Sequence, residues 1–177
     1  TYNDAAWSNG LALLYNETTA LPAPTNTYLP LAGTNGTRVM TYYFRTHFHL
    51  ASDPSGVVLT ASNLLDDGAV IYLNGVEAGR LNMPAGPISH STLASVTVSD
   101  ATNYLATNLT TSALVEGDNV LAVEVHQVAT NSTDVVFGLT LNALVPTQSP
   151  LAIANQPQGL TITSGTAAQL SVGISGS

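Results

Sequence analysis

Two stretches decide the fold: Asp66-Asp67-Gly68-Ala69-Val70-Ile71-Tyr72-Leu73-Asn74-Gly75 and Glu116-Gly117-Asp118-Asn119-Val120-Leu121-Ala122-Val123-Glu124-Val125-His126-Gln127. Each enters through a tight acidic turn and then carries the pattern of a β-strand. The first closes on Asn74-Gly75, two residues that tolerate the positive φ a two-residue hairpin demands. Working outward, the spacing predicts strands at 38–50, Val57–Leu64, Ala69–Leu73, Val76–Arg80, Val120–Val128 and Val135–Leu144. Weaker ones are expected at Leu93–Val98 and Tyr104–Ala113, while residues 1–36 read as loop broken by Pro22, Pro24 and Pro30. No segment keeps a helical period over three turns, so the chain is expected to be all-β, an antiparallel jelly-roll β-sandwich.

Composition narrows the function. Charged residues make up 8% of the 177, against about 25% in ordinary soluble domains. Thr, Ser, Asn and Gly must therefore cover the surface, as in secreted or cell-surface proteins. Lysine is absent and the only cations are Arg38, Arg45 and Arg80, so a net charge of −8 opposes nucleic acid and anionic lipid. Without cysteine there is no disulfide, thiolate metal site or Cys nucleophile. No run of about 18 apolar residues is long enough to span a membrane as a helix. No signal peptide is seen, and Thr1 reads as a mature or trimmed start.

Val145-Pro146-Thr147-Gln148-Ser149-Pro150 breaks the composition. The expected organisation is a sandwich over 1–146, a linker at 147–150 and a separate β segment at 151–177. In that segment Leu151–Asn155, Leu160–Thr163 and Ala167–Ser175 read as strands. Strands without a sheet to join leave backbone donors and an apolar face bare. Leu151, Ile153, Leu160, Ile162, Leu170, Val172 and Ile174 are thus the expected contact with another copy or a neighbouring domain, by strand addition.

Residues 41–144 resemble the galactose-binding-like jelly roll found in accessory modules of secreted bacterial proteins. The resemblance rests on Tyr43-Phe44-Arg45, on Asp66-Asp67-Gly68 leading to Tyr72-Leu73-Asn74-Gly75, and on Gly117-Asp118-Asn119 leading to Val125. It implies a module that supports neighbouring domains or binds glycan without catalysis, and it carries over no sugar-contacting residue. The final segment is similar to the first three strands of a bacterial Ig-like repeat, whose full length is about 100 residues.

Several groups are candidates for chemistry. Asp66 and Asp67 either shape the turn and pair with Arg45, or hold Ca²⁺ with help from scattered acids such as Asp53, Asp100 and Asp134. His47, His49 and His126 would suit Zn²⁺ if the sheet gathered them, the alternative being a polar outer face. Tyr28, Tyr42, Tyr72 and Tyr104 could form a sugar platform or pack as ordinary strand residues. Asn16, Asn35, Asn108 and Asn131 each open an N-x-[ST] sequon for glycosylation. No G-x-S-x-G or H-E-x-x-H occurs. The expectation is a non-catalytic extracellular structural protein, a filament or adhesin module assembled through its C-terminal segment, with no cofactor except calcium as a candidate. The alternative is a carbohydrate-binding module of a secreted hydrolase.

Overall fold

In the computed structural model, which describes residues 3–147 and 152–176, the chain divides into two units, Thr1–Val145 and Pro146–Ser177. The first is a β-sandwich of nine strands. One sheet contains β1 (Leu14–Asn16), β2 (Thr27–Tyr28), β4 (Val58–Asp66), β7 (Leu105–Leu109) and β9 (Val135–Leu144), in the order β2-β1-β9-β4-β7. The other contains β3 (Thr41–Leu50), β5 (Gly68–Leu73), β6 (Val76–Leu81) and β8 (Gly117–His126), in the order β3-β8-β5-β6. Every pairing is antiparallel except the short β1–β2 contact.

Period-two alternation builds the core. Leu59, Ala61 and Leu65 of β4 face Ala69, Ile71 and Leu73 of β5, with Leu121, Val123 and Val125 of β8 and Val135 and Phe137 of β9 completing the layer. Phe44 and Phe137 join the two sheets by stacking, ring centres 4.9 Å apart. A smaller cluster of Leu13, Leu64, Ala101 and Val136 lies apart from this core. Leu64 and Leu65 are neighbours in one strand, so their side chains leave opposite faces of the sheet.

The Asn74-Gly75 hairpin is present, with both residues at positive φ (51° and 85°). Asn74 also fixes the hairpin to β8. Its Nδ2 donates to the Ala113 carbonyl and to Asn119 Oδ1, while its Oδ1 accepts from Val120 N at 2.8 Å. Two sequence expectations change. Leu93–Val98 is not a strand, because its backbone groups bond singly to other partners: Ala94 N to Gln127 O, Ser95 N to Asn82 O, and Val98 N to Asp67 Oδ1. The supposed loop of residues 1–36 contributes β1 and β2, too short for a period to register.

The second unit holds one antiparallel ladder, β10 (Ala152–Asn155) with β11 (Gly173–Ser175). Leu160–Thr163 forms no strand and Ala167–Ser175 only its last three residues. Ile153, Leu160, Ile162, Leu170, Val172 and Ile174 are between 52 and 72% exposed, so they form no core. Leu151 and linker residues 148–150 lie outside the described residues.

Replacing Asn74 with Ala removes three side-chain hydrogen bonds and puts a Cβ residue without local compensation at positive φ. The sandwich is expected to lose about 2 kcal/mol or more in urea denaturation.

Candidate metal centre

The polypeptide crosses from one sheet to the other at Asp66-Asp67-Gly68, where β4 ends and β5 begins. Gly68 is needed there. A Cβ at this position would lie 2.7 Å from Met83 Sδ and 2.8 Å from the Ala94 Cβ. Both aspartates are fully buried. The two carboxylates nevertheless have different partners.

Asp67 is satisfied. Its Oδ1 accepts from Val98 N and its Oδ2 from Val128 N, both at 2.8 Å. These bonds hold the chain after β6 and the chain after β8 against the corner. No donor reaches either oxygen of Asp66. A buried carboxylate without a partner is costly, and two further acids adjoin it. Asp66 stands opposite Val136 in the β4–β9 ladder, and Asn16 stands opposite Val135 in the β1–β9 ladder. The ends of three adjacent strands therefore bring together Asp66, Asp134 (just before β9) and Glu17 (just after β1). One carboxylate oxygen from each falls within 4.8 Å of the others. Glu17 Oε1 accepts from the backbone of Thr18 and Thr19, leaving Oε2 buried and unpartnered. Gln127 Nε2 donates to the Asp134 carbonyl at 2.8 Å and fixes that residue.

Burial first, and then Asp67, Asp134 and Glu17, push the Asp66 pKa up to about 9. Asp134 is raised too, by burial and then by Glu17 and Asp67. The cluster can thus hold a proton or a divalent cation. Oxygen-only donors suit a hard ion.

The other candidates are placed differently. Arg45 Nε lies 3.1 Å from Asp4, so the guanidinium offered to Asp66 and Asp67 is found with an N-terminal acid. Asp53 caps Ser55 N in an exposed turn. The three histidines do not converge: His47 and His49 stand opposite Val120 and Asp118, whereas His126 stands opposite Thr41 at the far end of the same ladder. His126 is fully buried and Nδ1 lies 2.8 Å from the Thr92 carbonyl.

Among the tyrosines, Tyr42 is core, Tyr28 packs edge-on against Tyr15, Tyr104 is exposed, and Tyr72 lines a hollow. Of the sequon asparagines, Asn16 has its Nδ2 engaged by Tyr28 Oη and the Leu29 carbonyl. Asn35 Oδ1 accepts from Thr37 N, Asn108 Oδ1 accepts from Thr60 Oγ1, and Asn131 is exposed. Glu17 escaped the sequence reading because its partners lie 49 and 117 residues further on and no local spacing links them.

No family model, curated protein or solved structure matches this chain. No helix among the described residues is long and apolar enough to cross a membrane.

An acid whose pKa is higher folded than unfolded favours folding most where it is neutral in both states, below about 3.8 for Asp66. That contribution fades as pH climbs toward about 9. In EDTA, the sandwich is expected to melt at a lower temperature at pH 8 than at pH 5. Asp66→Asn should flatten this slope and raise the pH 8 midpoint, both read by thermal denaturation.

Proposed function

We propose that this chain is a non-catalytic structural module of an extracellular protein, a jelly-roll sandwich of the galactose-binding-like kind braced by calcium. The observation that carries the reading is the buried Asp66 carboxylate, unpartnered on both oxygens and facing Glu17 and Asp134. Calcium accepts irregular oxygen sets that would not satisfy magnesium, and modules with few charged ligands bind it at the millimolar levels found outside cells. Bound there, it would tie the N-terminal segment, through Glu17, to the ends of β4 and β9. Two other buried polar side chains suit the same scaffolding role. Asp67 restrains two loops, and Asn119 Oδ1 accepts from Val115 N while its Nδ2 donates back to the Val115 carbonyl.

Assembly would run through the second unit. Its apolar side chains are exposed although its sequence alternates like a strand, which suits burial against another copy or a neighbouring Ig-like domain. A chain ending at Pro146 is expected to remain folded but stay monomeric in light scattering where the longer chain associates. Equal association of both would remove the assembly role.

Calcium at about a hundred times its dissociation constant should add about 2.7 kcal/mol to unfolding. Asp66→Asn and Glu17→Gln should abolish most of this gain, and Asp53→Asn should leave it intact. Calorimetry showing no calcium-dependent gain in the unsubstituted protein, or the same gain in Asp66→Asn, would refute the brace.

A further inference from the structure

A second buried group without a partner lies on the outer face of the four-stranded sheet, and it shares no residue with the acid cluster. Thr41 of β3, His126 of β8 and Gly68 of β5 stand in one row across the sheet. Glu124 is two residues before His126 and so on the same face. Gly68 has no side chain there, and the segment between β6 and β7 packs onto it through Met83 and Ala94. That segment brings the carbonyls of His90 and Thr92 onto the Thr41–His126 pair.

The hydrogen bonds fix the state of the ring. Thr41 Oγ1 lies 2.7 Å from the His90 carbonyl, which can only accept, so the hydroxyl proton points there. His126 Nδ1 lies 3.0 Å from that same hydroxyl oxygen and 2.8 Å from the Thr92 carbonyl. Neither oxygen has a proton to give it, so Nδ1 carries the ring proton and donates. In the neutral ring Nε2 then presents a lone pair. Nε2 is buried, has no hydrogen-bond partner and lies 3.3 Å from Glu124 Oε2. Two acceptors thus face each other away from water, an arrangement that a positive charge between them resolves.

We propose that His126 Nε2 and the Glu124 carboxylate bind a divalent transition-metal ion of the zinc class. Two atoms each about 2.05 Å from a tetrahedral zinc stand about 3.3 Å apart, which is the separation of Nε2 and Oε2. A metal-bound imidazole donates its other N–H to a carbonyl or carboxylate, and the Thr92 carbonyl serves Nδ1 in this way. One nitrogen with one carboxylate oxygen suits zinc, whereas calcium takes oxygen alone. Glu124 also lines a hollow of about 390 Å³ with Tyr43, Tyr72 and Trp7. The hollow offers the ion an entry path and water for its remaining positions. The Tyr72 hydroxyl hydrogen-bonds Glu124 there. Arg45, which lines the hollow too, lies 3.1 Å from Asp4. His47 and His49 take no part, being at the other end of the ladder. The competing occupant of the gap is a second ring proton.

The test is calorimetric titration of the whole chain with zinc, alongside nitrogen NMR of the imidazole rings. The expected result is saturable binding that moves the His126 Nε2 resonance to its metal-bound position while Nδ1 keeps its proton. Affinity should fall at least about tenfold in Glu124→Gln, which keeps the shape but not the charge. His126→Gln should abolish it. Thermal melts check that each variant is folded, and the Nε2 shift of the unsubstituted protein decides the matter if His126→Gln is not. Asp66→Asn should bind zinc unchanged, and so should His47→Gln combined with His49→Gln, which removes the exposed His49–Asp118 pair. The proposal is overturned if zinc leaves Nε2 unmoved, if Glu124→Gln binds as tightly, or if Nε2 carries a proton in the presence of saturating zinc. Calcium-dependent stability at Asp66 is measured separately, so either reading can fail alone.

Discussion

The sandwich depends on burying two adjacent carboxylates where the chain passes from one sheet to the other. Asp66 and Asp67 occupy the step between β4 and β5, and neither has access to solvent. One meets backbone N–H groups, the commonest partners of buried carboxylates, and the other meets more acid. The second arrangement opposes the ionised form. A single dipeptide thus contains a permanent fastener and a site whose charge must be matched from outside.

The consequences spread along the loops. By holding Val98 and Val128, Asp67 draws in segments with little regular structure of their own. The 82–101 segment then packs against Gly68, and Thr92 supplies the carbonyl that orients His126. His126 lies within reach of Glu124, the carboxylate on the floor of the aromatic hollow. The corner and the outer face are therefore linked through packed neighbours, with His126 Nε2 itself making no hydrogen bond.

How much of this was legible in the sequence follows from range. The strands around Asn74-Gly75 and from Val120 to His126 were readable because alternation and turn chemistry are local. The β9 strand was readable for the same reason at its observed bounds, and β4 with its ends shifted by one and two residues. Glu17 was not, since its role arises only when β1 docks on β9, and three residues of strand give no period. Tyr43 was legible only as a strand residue, because only cross-strand register puts it beside Glu124. The histidine triad failed on the same ground: two residues apart in sequence says one face, but His126 enters the ladder at its opposite end. In the second unit alternation alone overstated the strands, since a pattern without a facing layer has nothing to bury against.

Charge scarcity gives the acid cluster its dependence on solution. The chain has three cations, all arginine. Arg45 is with Asp4, Arg80 is with Glu77, and Arg38 acts on Tyr42. The groups that act on Asp66 are Asp67, Asp134 and Glu17, all of the same sign. A protein with lysines to spare could place one beside such a cluster and close the site internally, at the cost of ordering a long side chain. Here the compensating charge has to be a proton or a metal ion. A proton leaves as pH rises toward about 9, whereas a divalent cation held there would remain and engage three strand ends together. The composition that makes the surface nearly uncharged thereby makes this corner of the fold answer to its ionic surroundings.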